Sequence, residues 1–466
     1  MKLKEIKIAL ENEALAEAKT EEVISKQSVE FMDSIDESDD IEEISELSDQ
    51  TTQLLEETEE LQKDNDVMSD YQENIEEIIE SDDTEISDVV KDHALESIRS
   101  NIKAMCDRWG FSEPILMTSL ATENLKEDSA QRLRIANESF ASFINKVYEA
   151  VRKAIITAIK WFANLIGISG KAAEKKEERI KNEVEAIKAI DYKDPNTSTL
   201  PTLREKEEEK GFSFSNEGTI PAEPKTARIV HKDLITTKDL TDKATKLVKN
   251  SSEIIDTLAD MLDKDLDATK QMSNLNKNES ANNLIDTRLE YLETATERFT
   301  ELYNKRLAKI EELIEKCDFS DSFKVEFTED SRGLIDIKTS SSFDNVNPDA
   351  EVVVPRSESE LQELIDCEKE IVRRVKDNTN KTIKIRATLE KFLKSYERSV
   401  RLKSTDQKAN TEANKKIKEV LAIQRKAITT VILLIQFLTK TLLDYDTGIS
   451  LVSKAALNLQ KETGEQ

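Results

Sequence analysis

The sequence predicts a mainly α-helical protein, built from long amphipathic helices in bundle or coiled-coil packing. Three observations predict it. The 466 residues include only 8 Gly and 7 Pro, residues that sheet and α/β folds place at tight turns and phosphate loops. Charged residues reach 35% while aromatics stay at 5%, and Glu, Lys, Leu, Ile and Ala, all common in helices, are abundant. Apolar residues recur at three- and four-residue steps over most of the length. A chain of this size is expected to hold two or three domains.

The first element, residues 1–123, is an acidic arm. It carries 36 Asp and Glu against 10 Lys and Arg, a net of −26 out of −28 for the whole chain. Between residues 27 and 90 the one base is Lys63. Such runs are ordinarily solubilising tails without fixed structure. Here Ile41, Ile44, Leu47, Leu54 and Leu61, then Ile75, Ile78 and Ile79, fall at near-helical steps. The arm is therefore expected to be partly disordered and partly helical.

Near residues 93–125 apolar residues rise, acids thin out and Pro114 interrupts the pattern, which marks the first boundary. Residues 124–190 form a basic amphipathic helical segment. Phe140, Phe143, Ile144, Val147, Val151, Ile155, Ala158, Ile159, Phe162 and Ile166 share one helical face, with Lys146, Arg152, Lys153, Lys160 and Asn164 mostly off it. Such a stripe is expected to be one face of a bundle, and a membrane surface or partner helix fits the same pattern. Gly167 and Gly170 are expected to stop or bend this helix before a more polar one resumes.

Residues 191–225, with Pro195, Pro201, Pro221 and Pro224, read as a linker. Residues 226–320 form a helical region. Ser251 and Ser252 stand where a helix cap could sit, though the Glu or Gln of a capping box is missing. A long helix follows through Leu289, Leu292, Phe299, Leu302, Leu307, Ile310 and Leu313. Residues 321–355 form a small β insertion. Phe323, Val325 and Phe327 alternate, a turn follows at 330–333, and Leu334, Ile335 and Ile337 complete a hairpin near 323–338, with 351–355 as a candidate third strand. A lone hairpin is marginal in water, so it should pack on the helices.

Residues 356–466 form a basic C-terminal helical region. Ser357 and Glu360 make a capping-box pattern, and the helix after them runs past Val400 with Leu361, Leu364, Ile371, Val375, Leu389, Leu393, Tyr396 and Val400 on its buried side. Lys391, Lys394, Arg398 and Arg401 lie roughly 160° away from those apolar residues. Residues 371–440 carry 18 bases and 6 acids, a net of +12. The final stretch, 415–459, is very apolar over 427–439, and Gly448 is expected to end one helix before another begins.

The same residues argue against several classes. Cys106, Cys317 and Cys367 are odd in number and far apart, with no CxxC spacing, so neither a disulfide framework nor a metal site is expected. His93 and His231 stand in unrelated segments, and no nucleotide-binding, zinc-protease or nucleophile-elbow motif occurs. No catalytic residue and no cofactor is nominated. The charged start does not read as a secretory signal, and no window reaches the ~18 uncharged apolar residues of a membrane span.

Taken in order, these parts carry a resemblance. The acidic arm is followed by ALES at 94–97, MCDRWGFS at 105–112, MTSLATEN at 117–124 and RLRIANESFASFINKVYEAVRKAIITAIKWFANLIG at 132–167. LLDYDTGISLVSKAALNL closes the chain at 442–459. This layout resembles the internal head proteins, inner capsid or prohead-core structural proteins, of large tailed bacteriophages. It is specific over about 94–167 and looser over 427–459. Membership implies a virion structural protein packaged inside the phage head and present in the host cytoplasm before assembly. It implies a precursor whose acidic propeptide is cut by the phage maturation protease after the Glu of a short motif. Ala121, Thr122 and Glu123 fit that motif where the charge balance changes, with Glu96 and Glu138 as alternatives. Implied partners are capsid or prohead core proteins, the protease and further copies of the chain.

A −26 arm would be repelled by packaged DNA, and its loss would leave a body near −2. Arg373, Arg374, Lys376, Lys381, Lys384, Lys391, Lys394, Arg398 and Arg401 are then candidate non-specific phosphate contacts. The competing reading for them is a solvated helix face. Two other functions compete: a membrane-associating amphipathic protein, with membrane binding the less expected, and a coiled-coil adaptor.

Overall fold

The computed structural model describes residues 37–80, 87–114, 129–189, 219–275, 284–330, 333–343, 346–355, 357–400 and 407–464. Among them the helices are α1 (Glu37–Glu80), α2 (Asp88–Trp109), α3 (Ser129–Ala189), α4 (Pro224–Val230), α5 (Thr237–Leu275), α6 (Leu284–Cys317), α7 (Glu358–Val400) and α8 (Gln407–Gly464). The strands are β1 (Thr219–Pro221), β2 (Leu234–Ile235), β3 (Phe323–Glu329), β4 (Ile335–Ser341) and β5 (Glu351–Val353). The mainly α architecture expected from composition is the observed one. The chain forms two compact units, one holding Asp49–Trp161 and the other Asp36–Ser48 with Phe162–Gln466.

In the first unit α1 buries Leu54, Leu61, Met68 and Ile75 at seven-residue steps, which keeps them on one side of a helix. Polar Thr51, Thr58, Gln62, Asn65 and Ser69 are buried beside them. The acidic arm is thus helical from residue 37 to 80 and again from 88 to 109. Arg108 joins α2 to α1, pairing with Asp64 at 2.9 Å and Glu60 at 3.0 Å, while the Trp109 indole donates to Asp64 at 2.6 Å. α2 stops at Gly110, whose φ of 72° is in the left-handed region and whose N–H donates to the Cys106 carbonyl at 2.7 Å.

α3 is a single helix of 61 residues, so Gly167 and Gly170 do not stop it. A helical Gly costs about 1 kcal/mol relative to Ala. Each large apolar side chain buried on this face contributes about 1.5–3 kcal/mol, so the face outweighs the glycines. A Cβ on Gly170 would lie 3.2 Å from the Thr379 methyl, which places α7 close against α3 at that turn.

The second unit is built on α5, α6, α7 and α8. Lys309 pairs with Glu253 and Arg306 with Asp260, so α6 runs antiparallel to α5. Lys381 pairs with Asp256 and Thr388 donates to Asp263, so α7 runs with α5. Tyr303 meets Thr430, and Cys317 lies near Tyr445, so α8 runs with α6. This is an up-down-up-down bundle. α5 starts on a reciprocal cap, the Asp239 N–H donating to Thr236 Oγ1 and the Thr236 N–H to Asp239 Oδ2. Ser251 and Ser252 lie inside α5 and do not cap it. The Ser357 cap of α7 is present, accepting the Glu360 N–H at 3.2 Å.

The hairpin β3–β4 pairs Phe323 with Ser341 through to Glu329 with Ile335. It packs on the helices as expected. Tyr303 on α6 donates to the Ile335 carbonyl at 3.0 Å, Asn304 to the Gly333 carbonyl at 2.7 Å, and Lys426 on α8 pairs with Asp330 at 2.8 Å. The 351–355 segment does not extend this hairpin. β5 lies instead between β1, antiparallel, and β2, parallel, in a separate small sheet. The end of the 191–225 linker therefore enters the fold as β1, and Pro224 opens α4.

Gly448 does not end a helix, because α8 runs through it. Its lack of a side chain lets α4 approach. A Cβ there would sit 2.2 Å from Ile229 Cδ1 and 3.0 Å from the Lys225 carbonyl. Thr226 Oγ1 donates to the Gly448 carbonyl at 2.8 Å.

Candidate functional site

A buried polar cluster of the second unit lies where α3, α7 and α8 meet. Ala173, Lys176, Ile180, Glu183 and Ile187 follow three- and four-residue steps on α3, so two charges occupy positions in its apolar stripe. On α7, Glu368 sits between Leu364 and Ile371. On α8, Asp446 and Ser453 alternate with Leu442, Ile449 and Ala456.

Lys176 pairs with Asp446 and reaches Thr447 Oγ1 at 3.3 Å. Arg179 binds Glu368 at 3.0 Å, approaches Asp446 at 3.7 Å and pairs with Glu183 at 3.3 Å. Ser453 Oγ donates to Glu368 at 2.6 Å. Lys176 is 2% exposed, and Glu368 and Asp446 are 0% exposed.

Two cations here face three carboxyl groups. Burial, then the charges of Asp446 and Glu183, push the Glu368 carboxyl up to about 8, against the opposing Ser453 hydrogen bond and Arg179 charge. Burial thus favours the neutral form of the Glu368 carboxyl. The cluster's chemistry is attachment: removing either cation, or the Asp446 carboxylate that faces Lys176, leaves a buried charge without compensation. Sequence reading did not single these residues out. The signal for them was charge in phase with an apolar stripe.

A second buried pair ties α4 to α8. Arg228 meets Asp444 at 3.1 Å and lies between the rings of Phe323 and Phe343, 4.3 and 4.2 Å from their centroids. Burial holds the Arg228 guanidinium below its usual pKa and pushes the Asp444 carboxyl up.

The nine candidate phosphate contacts divide along α7. Arg373 pairs with Glu370 at 2.6 Å and Arg374 approaches the same carboxylate at 3.7 Å. Lys376 pairs with Glu177 on α3, and Lys381 with Asp256 at 2.6 Å and Ser252 at 3.0 Å on α5. Lys384 and Lys391 are exposed, with no ion pair among the described residues. The side chains of Lys394 and Arg398, and the whole of Arg401, lie outside the described residues.

Between α5 and α7 runs a groove lined by Asp242, Glu253, Asp256, Glu363, Asp366 and Glu370, against Lys249 and Arg374. Cys367 on its wall is held as a neutral thiol, its pKa pushed up to about 12 by burial and then by the charge of Glu368. A polyanion would be repelled from this face.

Of the cleavage candidates, Ala121, Thr122 and Glu123 lie outside the described residues. Glu96 and Glu138 are exposed, but within α2 and α3. His93 is exposed on α2, and His231 follows α4 with its Nε2 2.8 Å from Ser322 Oγ. The apolar faces read as possible membrane elements are buried in protein. Ala422–Asn458 is long and apolar enough to cross a membrane, yet 89% of its apolar window is covered. Among the described residues no cluster of His, Cys, Asp or Glu is arranged to hold a metal ion.

Long helices joined by ion pairs define the class: a mainly helical protein. The chain belongs to the phiKZ-like phage internal head proteins, whose family profile matches residues 36–443, from the start of α1 into α8. It is accordingly a structural protein of the phage head interior that associates with head components. No curated protein and no solved structure matches it.

Proposed function

We propose that this internal head protein is made as a precursor in the host cytoplasm, joins the prohead core, and loses residues 1–123 to the phage maturation protease. The observation that carries the reading is the charge step. The arm holds −26, the remainder −2, and a head filled with DNA disfavours the first far more than the second. Cleavage after Glu123 falls at that charge step. A protease takes its substrate extended, whereas Glu96 and Glu138 are held in helices. The remaining body would face DNA through Lys384, Lys391 and the bases beyond them. The lysines and arginines nearer the start of α7 are already engaged with carboxylates. Mass spectrometry of protein from purified particles tests the proposal. A terminus at Asn124 is expected, and a chain still beginning at Met1 or Lys2 would overturn it.

A further inference from the structure

We infer that α3 over residues 129–161 is a self-association surface kept covered by the acidic arm, and that arm removal lets it pair with the same helix of a second copy. The inference rests on the processing reading above. It starts from the unit Asp49–Trp161, in which α1 from Asp49 onward, α2 and this part of α3 form one compact body. Phe111, just past α2, packs edge-on to Phe143 with centroids 5.8 Å apart, and Arg132 pairs with Asp92 of α2 at 2.9 Å. A cut after Glu123 places α1 and α2 on one fragment and α3 on the other. What is left of the unit is one helix, and one helix cannot bury its own apolar face.

That face is large. Eight Leu, Ile, Val and Phe side chains between residues 133 and 159 are each at most 7% exposed. At on the order of 100 Å² each they would present about 800 Å², the area each partner contributes to a standard stable interface. The face is also nearly pure, since between residues 133 and 159 the buried polar side chains are Asn137 and Ser139. The buried face of α1 in the same unit is more mixed. Thr51, Thr58, Gln62, Asn65 and Ser69 share it with Leu54, Leu55, Leu61, Met68 and Ile75. Those polar groups regain water when α1 leaves, whereas two α3 faces pressed together bury apolar surface on both sides. Once the arm is free to diffuse, the second copy is the better cover.

The test uses the full chain with a foreign protease site replacing residues 119–124, cut after folding. The uncut chain is expected to run as a monomer on size exclusion with light scattering. After cutting, the 1–123 fragment should separate and the remainder should double in mass. Mixed light and isotope-labelled copies should then give lysine cross-links between Lys146 and Lys153 of different chains. An uncut chain that is already dimeric, an arm that stays bound after the cut, a remainder of any mass other than twofold, or a dimer without α3 cross-links each overturns the inference. So does a remainder that stays monomeric and floats with anionic vesicles. Failure of the processing reading shows up elsewhere, as an intact terminus in particles, and is distinguishable from all of these.

Discussion

Asp446→Asn removes the countercharge of a buried lysine. Lys176 is 2% exposed and Asp446 is 0% exposed. The pair is held by helices 270 residues apart in sequence, so the carboxylate holds α3 to α8 as well as neutralising the ammonium. Its Oδ2 also lies 3.7 Å from Arg179. Removing one partner of a buried pair costs about 3–5 kcal/mol, most of it the penalty of the stranded charge. That is a large share of the roughly 5–15 kcal/mol by which a typical domain is stable.

Urea unfolding followed by far-ultraviolet circular dichroism reads the loss as a lowered midpoint. Fluorescence of Trp109 and Trp161, both in the other unit, provides an internal control. Lys176→Met with Asp446→Leu removes both charges at similar volume and should recover most of the stability, since two apolar groups need no compensation. If Asp446→Asn lowers stability by less than about 1 kcal/mol, the value of an exposed pair, or if the double variant is no better than the single one, the reasoning about burial is wrong.

Other perturbations give equally definite outcomes. The Glu368 carboxyl is raised from 4.5 to about 8 in the folded chain, so its stabilising contribution is complete below about 4.5 and is lost as pH rises toward 8. Glu368→Gln should flatten the fall in stability between those values, which is on the order of 1 kcal/mol per pH unit. Equal slopes for the two proteins would refute the assignment. Gly448→Ala should lower the melting temperature by the equivalent of about 1–3 kcal/mol, because the new methyl meets Ile229. Adding Ile229→Val should return part of the loss, and strict additivity would sink that account. Lys384→Glu with Lys391→Glu should reduce the salt dependence of DNA binding by about two in log–log slope. Arg373→Ala with Lys381→Ala, whose charges already face carboxylates, should change it by less than one.

Local signals were legible in the sequence because local physics decides them. The β3–β4 alternation and the Ser357 cap need only neighbouring residues, and both are present in the fold. Glycines were misread for the same reason. At Gly170 and Gly448 the propensity says break, while the helix runs on past close neighbours from distant segments, Thr379 and Ile229. Of the sheet β1–β5–β2 only β5 is legible, as the strand at 351–355; its partners at 219–221 and 234–235 are two or three residues long. No periodicity can accumulate over such lengths.

Charge was the subtler case. A net of +12 over residues 371–440 suggests a free polycation, but composition records total charge and a ligand meets only what is unengaged. Lys376 and Lys381 reach across to Glu177 and Asp256, so part of that excess already serves to join α7 to α3 and α5. The same principle exposes the ion network. Lys176, Glu183, Glu368 and Asp446 look ordinary in a chain so rich in charge, and become informative only through their phase with the buried stripe. In helical proteins of this composition, a charged residue matters according to which face of its helix it occupies, and that phase can be read from sequence before any contact is known.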